Sequence, residues 1–162
     1  MRIPRHLPTV IVLTAWLMFF VSFFLPATNV VAIGGTERGT PLTGWQALTT
    51  SLRVLAVQPL IVIMEPRTLL FLTFPFINLA MLVAPLMVLA WDDSWVLSGL
   101  FVVGGLLPWA FPKSVTGDLF VGFYLWDLSF MMMGLGSILV SISRTQNYER
   151  EIQRARKRAD SE

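Results

Sequence analysis

The sequence predicts an all-α integral membrane protein, a bundle of four spanning helices with an additional interfacial helix on the outer face. Of its 162 residues, 55% are hydrophobic and 14% are charged, whereas a soluble domain carries about 25% charged residues. The apolar residues are gathered in stretches long enough to cross a bilayer. The chain contains no cysteine, which excludes a disulfide scaffold and a cysteine-ligated metal.

Four stretches have the length of a membrane span. A spanning helix needs about 20 apolar residues to cross a hydrocarbon core about 30 Å thick. Prolines flank the first stretch: Pro8 suits the first turn of a helix, and the ring of Pro26 cannot continue one. The predicted spans are residues 9–25, 68–90, 95–111 and 119–142.

The first span is open to a second interpretation, a cleaved signal peptide. Arg2 and Arg5 precede it, and the small-residue run Val30-Val31-Ala32 follows it, as in a secretory signal. Its 17 residues exceed the usual apolar core of a signal peptide, about 7 to 15 residues. We therefore predict a helix that is retained.

An apolar patch over residues 54–64 decides between two topologies. Pro59 interrupts the patch, and a spanning helix that reached back to Leu42 would place Arg53 near mid-membrane, at a cost of about 2.5–3.5 kcal/mol. That alternative has five spans and puts the two ends of the chain on opposite sides. We instead predict an interfacial or re-entrant helix within an outer segment, residues 27–67.

The basic ends of the chain predict the orientation. Arg2 and Arg5 lie at the N-terminus, and a tail over residues 143–162 holds six basic residues. Segments rich in Lys and Arg stay cytoplasmic, so both termini are predicted to be cytoplasmic. The tail is predicted to be a short amphipathic helix. Its basic cluster suits anionic headgroups, although topology control alone explains it. Four acids in the tail largely offset the bases, so no nucleic-acid partner is expected.

Asp127 is the one ionisable residue within a predicted span. It lies about 12 Å into the membrane from the outer side, where a carboxyl group usually finds a partner. One interpretation is a proton or cation site or a polar ligand contact. The other, which we favour because a lone carboxylate is a poor relay, is a structural hydrogen bond. The candidate partners in the chain are Tyr124, Asn78, Arg53 and Arg67.

The outer segment carries turn residues and a helix start. Gly34-Gly35 and the run Gly39-Thr40-Pro41 are typical of turns. Thr43 is suited to cap a helix over residues 44–53, and Trp45 is expected at the membrane interface. Two interpretations stay open: a lid or docking surface over the bundle, and a helix that simply lies on the membrane.

Small residues cluster in the third and fourth predicted spans. Small side chains let helix backbones approach closely, either within the chain or against another protein. We favour packing within the chain. The helix-packing candidates are Gly104, Gly105, Gly134, Ser137 and Ser141.

Several absences from the sequence argue against an enzyme. The only histidine is His6, and there is no Gly-rich phosphate loop, nucleophile elbow or zinc-protease motif. We predict no cofactor, no metal site and no catalytic residue.

Three short strings carry a resemblance to a known group of proteins. They are Ser22-Phe23-Phe24-Leu25-Pro26-Ala27, Gly44-Trp45-Gln46-Ala47-Leu48, and Tyr124-Leu125-Trp126 followed by Ser129. The sequence resembles small bacterial four-helix membrane proteins of unknown function. The resemblance implies a multi-pass topology and a bacterial inner-membrane location, and it implies no activity.

The functional prediction is a non-catalytic accessory or scaffold subunit. A small chain with few polar groups is better suited to contacts with membrane lipids and a membrane-protein partner, or with further copies of itself, than to chemistry. Two alternatives remain. One is a conduit or binding site for a proton, ion or lipid, centred on Asp127. The other is an enzyme that modifies a lipid.

Overall fold

The computed structural model describes residues 4, 6–31, 38–57, 69–90, 95–110 and 119–159. These residues are mostly helical, which confirms the main part of the predicted all-α class. The elements are α1 (Leu7–Ser22), β1 (Pro26–Val31), β2 (Arg38–Thr43), α2 (Gly44–Val57), α3 (Leu69–Ala90), α4 (Trp95–Leu106), a 3-10 helix (Leu107–Ala110) and α5 (Val121–Ala159).

A β-hairpin is present that the sequence prediction missed. Strands β1 and β2 pair antiparallel, with Pro26 opposite Thr43 and Val31 opposite Arg38. The hairpin also reaches the start of α5, because the Phe120 amide donates to the Ala27 carbonyl at 3.0 Å. The prediction of turns alone was therefore incomplete. The repeated register shifts in this pair leave no regular alternation of apolar and polar residues to signal the strands.

Helix α2 begins where the capping residues predicted. The Gln46 amide donates to the Thr43 hydroxyl at 3.3 Å, and the Thr43 amide donates to the Gln46 side-chain oxygen at 3.0 Å. This reciprocal pair is a capping box, which confirms Thr43 as the cap. Pro8 lies in the first turn of α1, as predicted, but the helix ends at Ser22, three residues before the predicted end.

Helix α5 lies between α1 and α4, and two glycines of α5 permit the close approach. A Cβ placed on Gly136 would lie 2.9 Å from Val12 Cγ2 of α1, and one on Gly134 would lie 2.8 Å from Val102 Cγ2 of α4. Positions two apart on a helix point about 200° apart. The two glycines therefore bring different neighbours against opposite sides of one helix.

Aromatic rings fill the centre of the bundle. Phe130 of α5 is fully buried, as are Phe19 of α1 and Phe101 of α4. The Phe130 ring lies 6.0 Å from that of Phe19 and 6.2 Å from that of Phe101, in edge-to-face arrangements. Edge-to-face contacts of this kind add to the stabilisation from buried apolar area.

Helices α1, α3, α4 and α5 form the bundle, and each runs in the direction opposite to the one before it in the chain. Helix α3 joins α1 through the Trp16 indole, which donates to the Leu82 carbonyl at 3.1 Å. It joins α5 at the other end through Arg144, which donates to the Leu89 carbonyl at 2.6 Å. We call the end covered by β1 and β2 the hairpin end and the opposite end, where α3 finishes, the tail end.

Helix α5 is the helix, among the described residues, that is long and apolar enough to cross a membrane. Its 39 residues correspond to about 58 Å. Helices α1 and α4 and the Pro75–Ala90 part of α3 are apolar but shorter. Helix α5 also continues without a break past Ile142, so the predicted tail forms its last turns instead of a separate helix.

Some predicted features fall on residues outside the described ranges. They include Arg67, the Gly34-Gly35 turn, and the interfacial or re-entrant helix over residues 54–64 from position 58 onward. The described part of that patch belongs to α2, which ends at Val57.

Candidate functional site

Two hydrogen bonds, each from a tryptophan to a polar side chain, join α5 to neighbouring elements near the hairpin end. In the first, the Trp126 indole N–H donates to Asn78 Oδ1 of α3 at 2.8 Å. Trp126 is 6% exposed and Asn78 is 2% exposed. A buried polar group is tolerated when it is hydrogen-bonded. This pair therefore joins two helices in the interior of the bundle.

A cavity of about 50 Å³ lies beside this buried pair. Residues of the hairpin and of four helices line it, among them Ser22, Thr28, Gly44 and Gly122. A water molecule occupies about 30 Å³ in the liquid. The cavity therefore has room for ordered water and not for an organic ligand, whose pockets begin at about 300 Å³.

The second pair lies on the outside of the bundle. Trp109, in the 3-10 helix after α4, donates its indole N–H to Asp127 Oδ2 at 3.0 Å. Asp127 Oδ1 is buried and accepts no hydrogen bond within the described residues. Trp109 is 56% exposed, so the carboxyl lies under an indole that itself faces outward. Oδ1 of Asp127 can therefore still accept a hydrogen bond.

The predicted partners of Asp127 were wrong where the structure describes them. Tyr124 does not bond to the carboxyl, and its ring lies 6.2 Å from that of Trp109. Asn78 accepts a hydrogen bond from Trp126 instead, because consecutive residues of α5 point about 100° apart. Position 126 faces α3, and position 127 faces the end of α4.

Two further candidates lie on α2, away from Asp127. Arg53 is exposed on that helix. Trp45 is 60% exposed, and its ring lies 6.2 Å from that of Phe23. These positions leave both side chains at the surface of the hairpin end.

The small residues of α4 and α5 make contacts within the chain. The Ser98 hydroxyl donates to the Ser137 hydroxyl at 2.8 Å, joining the two helices. A Cβ on Gly104 would lie 3.3 Å from Phe130 Cδ1, and one on Gly105 would lie 3.2 Å from Met131 Cε. Ser141 is also buried. The close approach that their size allows is used inside this bundle.

Sequence reasoning missed three of the residues that make these contacts: Trp109, Trp126 and Arg144. The available signal was that each carries a strong hydrogen-bond donor within or just beyond a predicted span. Their acceptors lie on helices 18 to 55 residues away in sequence. Spacing along one helix therefore could not identify them.

Comparison of the chain with family models, with curated proteins and with solved structures finds no match.

Proposed function

We propose that this chain is a multi-pass membrane protein that acts as a non-catalytic accessory or scaffold subunit. In this proposal α1, α3, α4 with its 3-10 extension, and α5 each cross the inner membrane of a bacterium, and both termini lie in the cytoplasm. The hairpin end then faces the outside and the tail end faces the cytoplasm, as the positive-inside rule requires for a basic tail.

The helix lengths support this assignment. With 16 and 22 residues, α1 and α3 are about 24 and 33 Å long. Helix α4 and the 3-10 helix together reach about 26 Å. These lengths are close to the hydrocarbon thickness of about 30 Å, and small mismatches are absorbed by tilt or local thinning.

Apolar side chains on the outside of the bundle also support it. Large apolar residues are strongly exposed on every one of these helices, for example Leu17 on α1, Leu86 on α3, Val96 on α4 and Leu135 on α5. An apolar surface of this extent is typical of contact with lipid or with another protein.

The observation that carries the subunit role is the position of Asp127. An ionisable group within the membrane usually faces the bundle interior or a water-filled cavity. Here it lies against α4 on the outside of the bundle, apart from the cavity beside Asn78. Oδ1 is covered and has no hydrogen-bond partner within the described residues, so a donor on a neighbouring transmembrane helix would reach it once the exposed ring of Trp109 moves aside.

Native mass spectrometry after extraction in mild detergent tests this proposal. We expect the wild-type chain to appear in a stoichiometric complex with another membrane protein or with further copies of itself. Asp127→Leu removes both acceptor oxygens and should reduce the complex at least fivefold. Asp127→Asn keeps one acceptor and should have a smaller effect. Glu149→Gln is the matched control, because it removes a carboxylate from the exposed part of α5 and should leave the complex intact.

Two results would overturn the subunit role. One is a complex that survives Asp127→Leu unchanged. The other is a chain that is monomeric in every preparation and that, in liposomes, conducts protons or ions in the wild type but not in Asp127→Asn. The second result would replace the subunit role with the conduit.

A further inference from the structure

We infer that the tail end of α5 binds the headgroup of an anionic lipid of the cytoplasmic leaflet. The site is the groove lined by Ser143, Asn147, Arg150, Glu151 and Arg154, with a volume of about 350 Å³. We call it the tail groove. This inference rests on the proposed membrane topology and adds a ligand to it.

The tail groove begins at the level where α3 ends. Arg144 adjoins Ser143 and donates to the carbonyl of Leu89, in the last turn of α3. In the proposed topology this level is the cytoplasmic boundary of the hydrocarbon. The polar headgroup layer beyond that boundary is about 5–7 Å thick. The turn of α5 from Ser143 to Asn147 spans this layer.

The two arginines of the groove lie further out, about 10 and 16 Å from Ser143 along the helix axis. Their side chains point back towards the bilayer, because every Cα–Cβ bond of a helix tilts towards the helix N-terminus. The N-terminus of α5 lies on the far side of the membrane. The long stem of Arg150 therefore carries its charge into the polar layer. The charge of Arg154 stays just beyond that layer, within the screening distance of about 8–10 Å over which an anionic surface still attracts it.

The chemistry of the lining fits a phosphate group. Ser143, Asn147, Arg150 and Arg154 follow one another at intervals of four, three and four residues, which places them on one face of the helix. A hydroxyl and an amide supply neutral donors, and each guanidinium supplies a fork of donors suited to a phosphate. Glu151 opposes an anion at the edge of the groove and lowers its affinity.

The position of the groove favours a lipid over free phosphate. A phosphate ion free in solution gains no affinity from donors that point towards the membrane. An anionic headgroup is held in that layer by its own acyl chains, and each basic residue near the surface contributes a factor of about five to its binding.

The test uses the full chain and two pairs of variants, measured by native mass spectrometry with phosphatidylglycerol or phosphatidylcholine added. We expect the wild type to retain phosphatidylglycerol preferentially. Arg154→Gln should reduce that retention about two- to fivefold, because its charge lies just beyond the headgroup layer. Arg156→Gln removes the same charge two residues away, about 200° around the helix, and should reduce it less than twofold.

Variants of the two glutamates should change lipid retention in the opposite direction. Glu151→Gln should increase phosphatidylglycerol retention about two- to fivefold, and Glu149→Gln, on the other side of the helix, should leave it nearly unchanged. Equal effects of Arg154→Gln and Arg156→Gln would overturn the groove and leave only a general charge attraction. Displacement of the lipid by millimolar inorganic phosphate would overturn the choice of a lipid.

Extraction at alkaline pH separates this inference from the proposed topology. A chain that alkaline carbonate removes from the membrane contradicts the multi-pass topology, whatever lipid it retains. A chain that resists extraction but shows no preference for phosphatidylglycerol contradicts the tail groove alone.

Discussion

The two tryptophan–polar pairs at the hairpin end are alike in chemistry and opposite in setting. In both, an indole N–H donates to a side-chain oxygen, at 2.8 Å in the Trp126–Asn78 pair and at 3.0 Å in the Trp109–Asp127 pair. Trp126 is buried, while Trp109 is more than half exposed. Neighbouring positions of one helix thus hold an internal link between helices and an outward-facing contact.

The difference shows that the environment of each pair, more than the hydrogen bond, sets its role. Loss of the buried pair removes a hydrogen bond between two helices inside the bundle, which destabilises the fold. Loss of the outer pair leaves the indole of Trp109 at the surface, where it finds other partners. We therefore expect the first pair to govern stability and the second to govern association.

The largest expected effect is the difference in stability between the variants Trp126→Ala and Trp109→Ala. Trp126→Ala removes a buried ring that lies 4.6 Å from the ring of Phe130, and it should lower the free energy of unfolding by about 3–5 kcal/mol. Trp109→Ala should lower it by less than about half as much, because Trp109 is largely exposed. Equilibrium unfolding of both variants in detergent micelles checks this. Equal losses would contradict the assignment of different roles.

A second comparison uses two glycines with opposite surroundings. A Cβ on Gly122 would lie 2.6 Å from the Pro26 carbonyl oxygen, whereas a Cβ on Gly99 would have nothing within 4 Å. Gly122→Ala should destabilise the chain by about 1–3 kcal/mol, because backbone must move to admit the methyl group. Gly99→Ala should be neutral or stabilise it by up to about 1 kcal/mol. Thermal unfolding of the two variants measures the difference.

The smallest effect concerns the acceptors themselves. Asn78→Leu removes the hydrogen bond from the Trp126 N–H and should cost about 0.6–1.7 kcal/mol, from the average to the largest value measured for hydrogen bonds between transmembrane helices. Asp127→Leu should change the stability of the isolated chain by less than this. A larger loss from Asp127→Leu than from Asn78→Leu, in the same unfolding assay, would reverse the proposed division of roles.

Much of the helix pattern could be predicted from local signals. An apolar stretch bounded by prolines located α1, an uncharged apolar stretch located α3, and Thr43 identified the start of α2. The hairpin of β1 and β2 escaped prediction because its irregular pairing carries no period-two pattern. The continuation of α5 past Ile142 escaped it because the change from apolar to basic residues there resembles an end to the helix, although no Pro or Gly breaks the backbone.

Asp127 could be selected as a candidate residue because a carboxyl in an apolar stretch is conspicuous in any sequence. Its partner could not be predicted. The choice among Tyr124, Asn78 and Trp109 depends on how α5 is rotated about its axis and on which helix packs against each side.

The sequence by itself determined the composition, the places where helices form, the basic tail and the lone carboxyl. These depend on residue type and on neighbours a few positions away, since helix propensity, capping and hydropathy act locally. Only the tertiary structure decided that Trp126 points inward to Asn78, that Asp127 points outward under Trp109, and that Gly134 and Gly136 receive different helices. A rotation of about 100° per residue separates these directions, and the packing of distant helices selects among them.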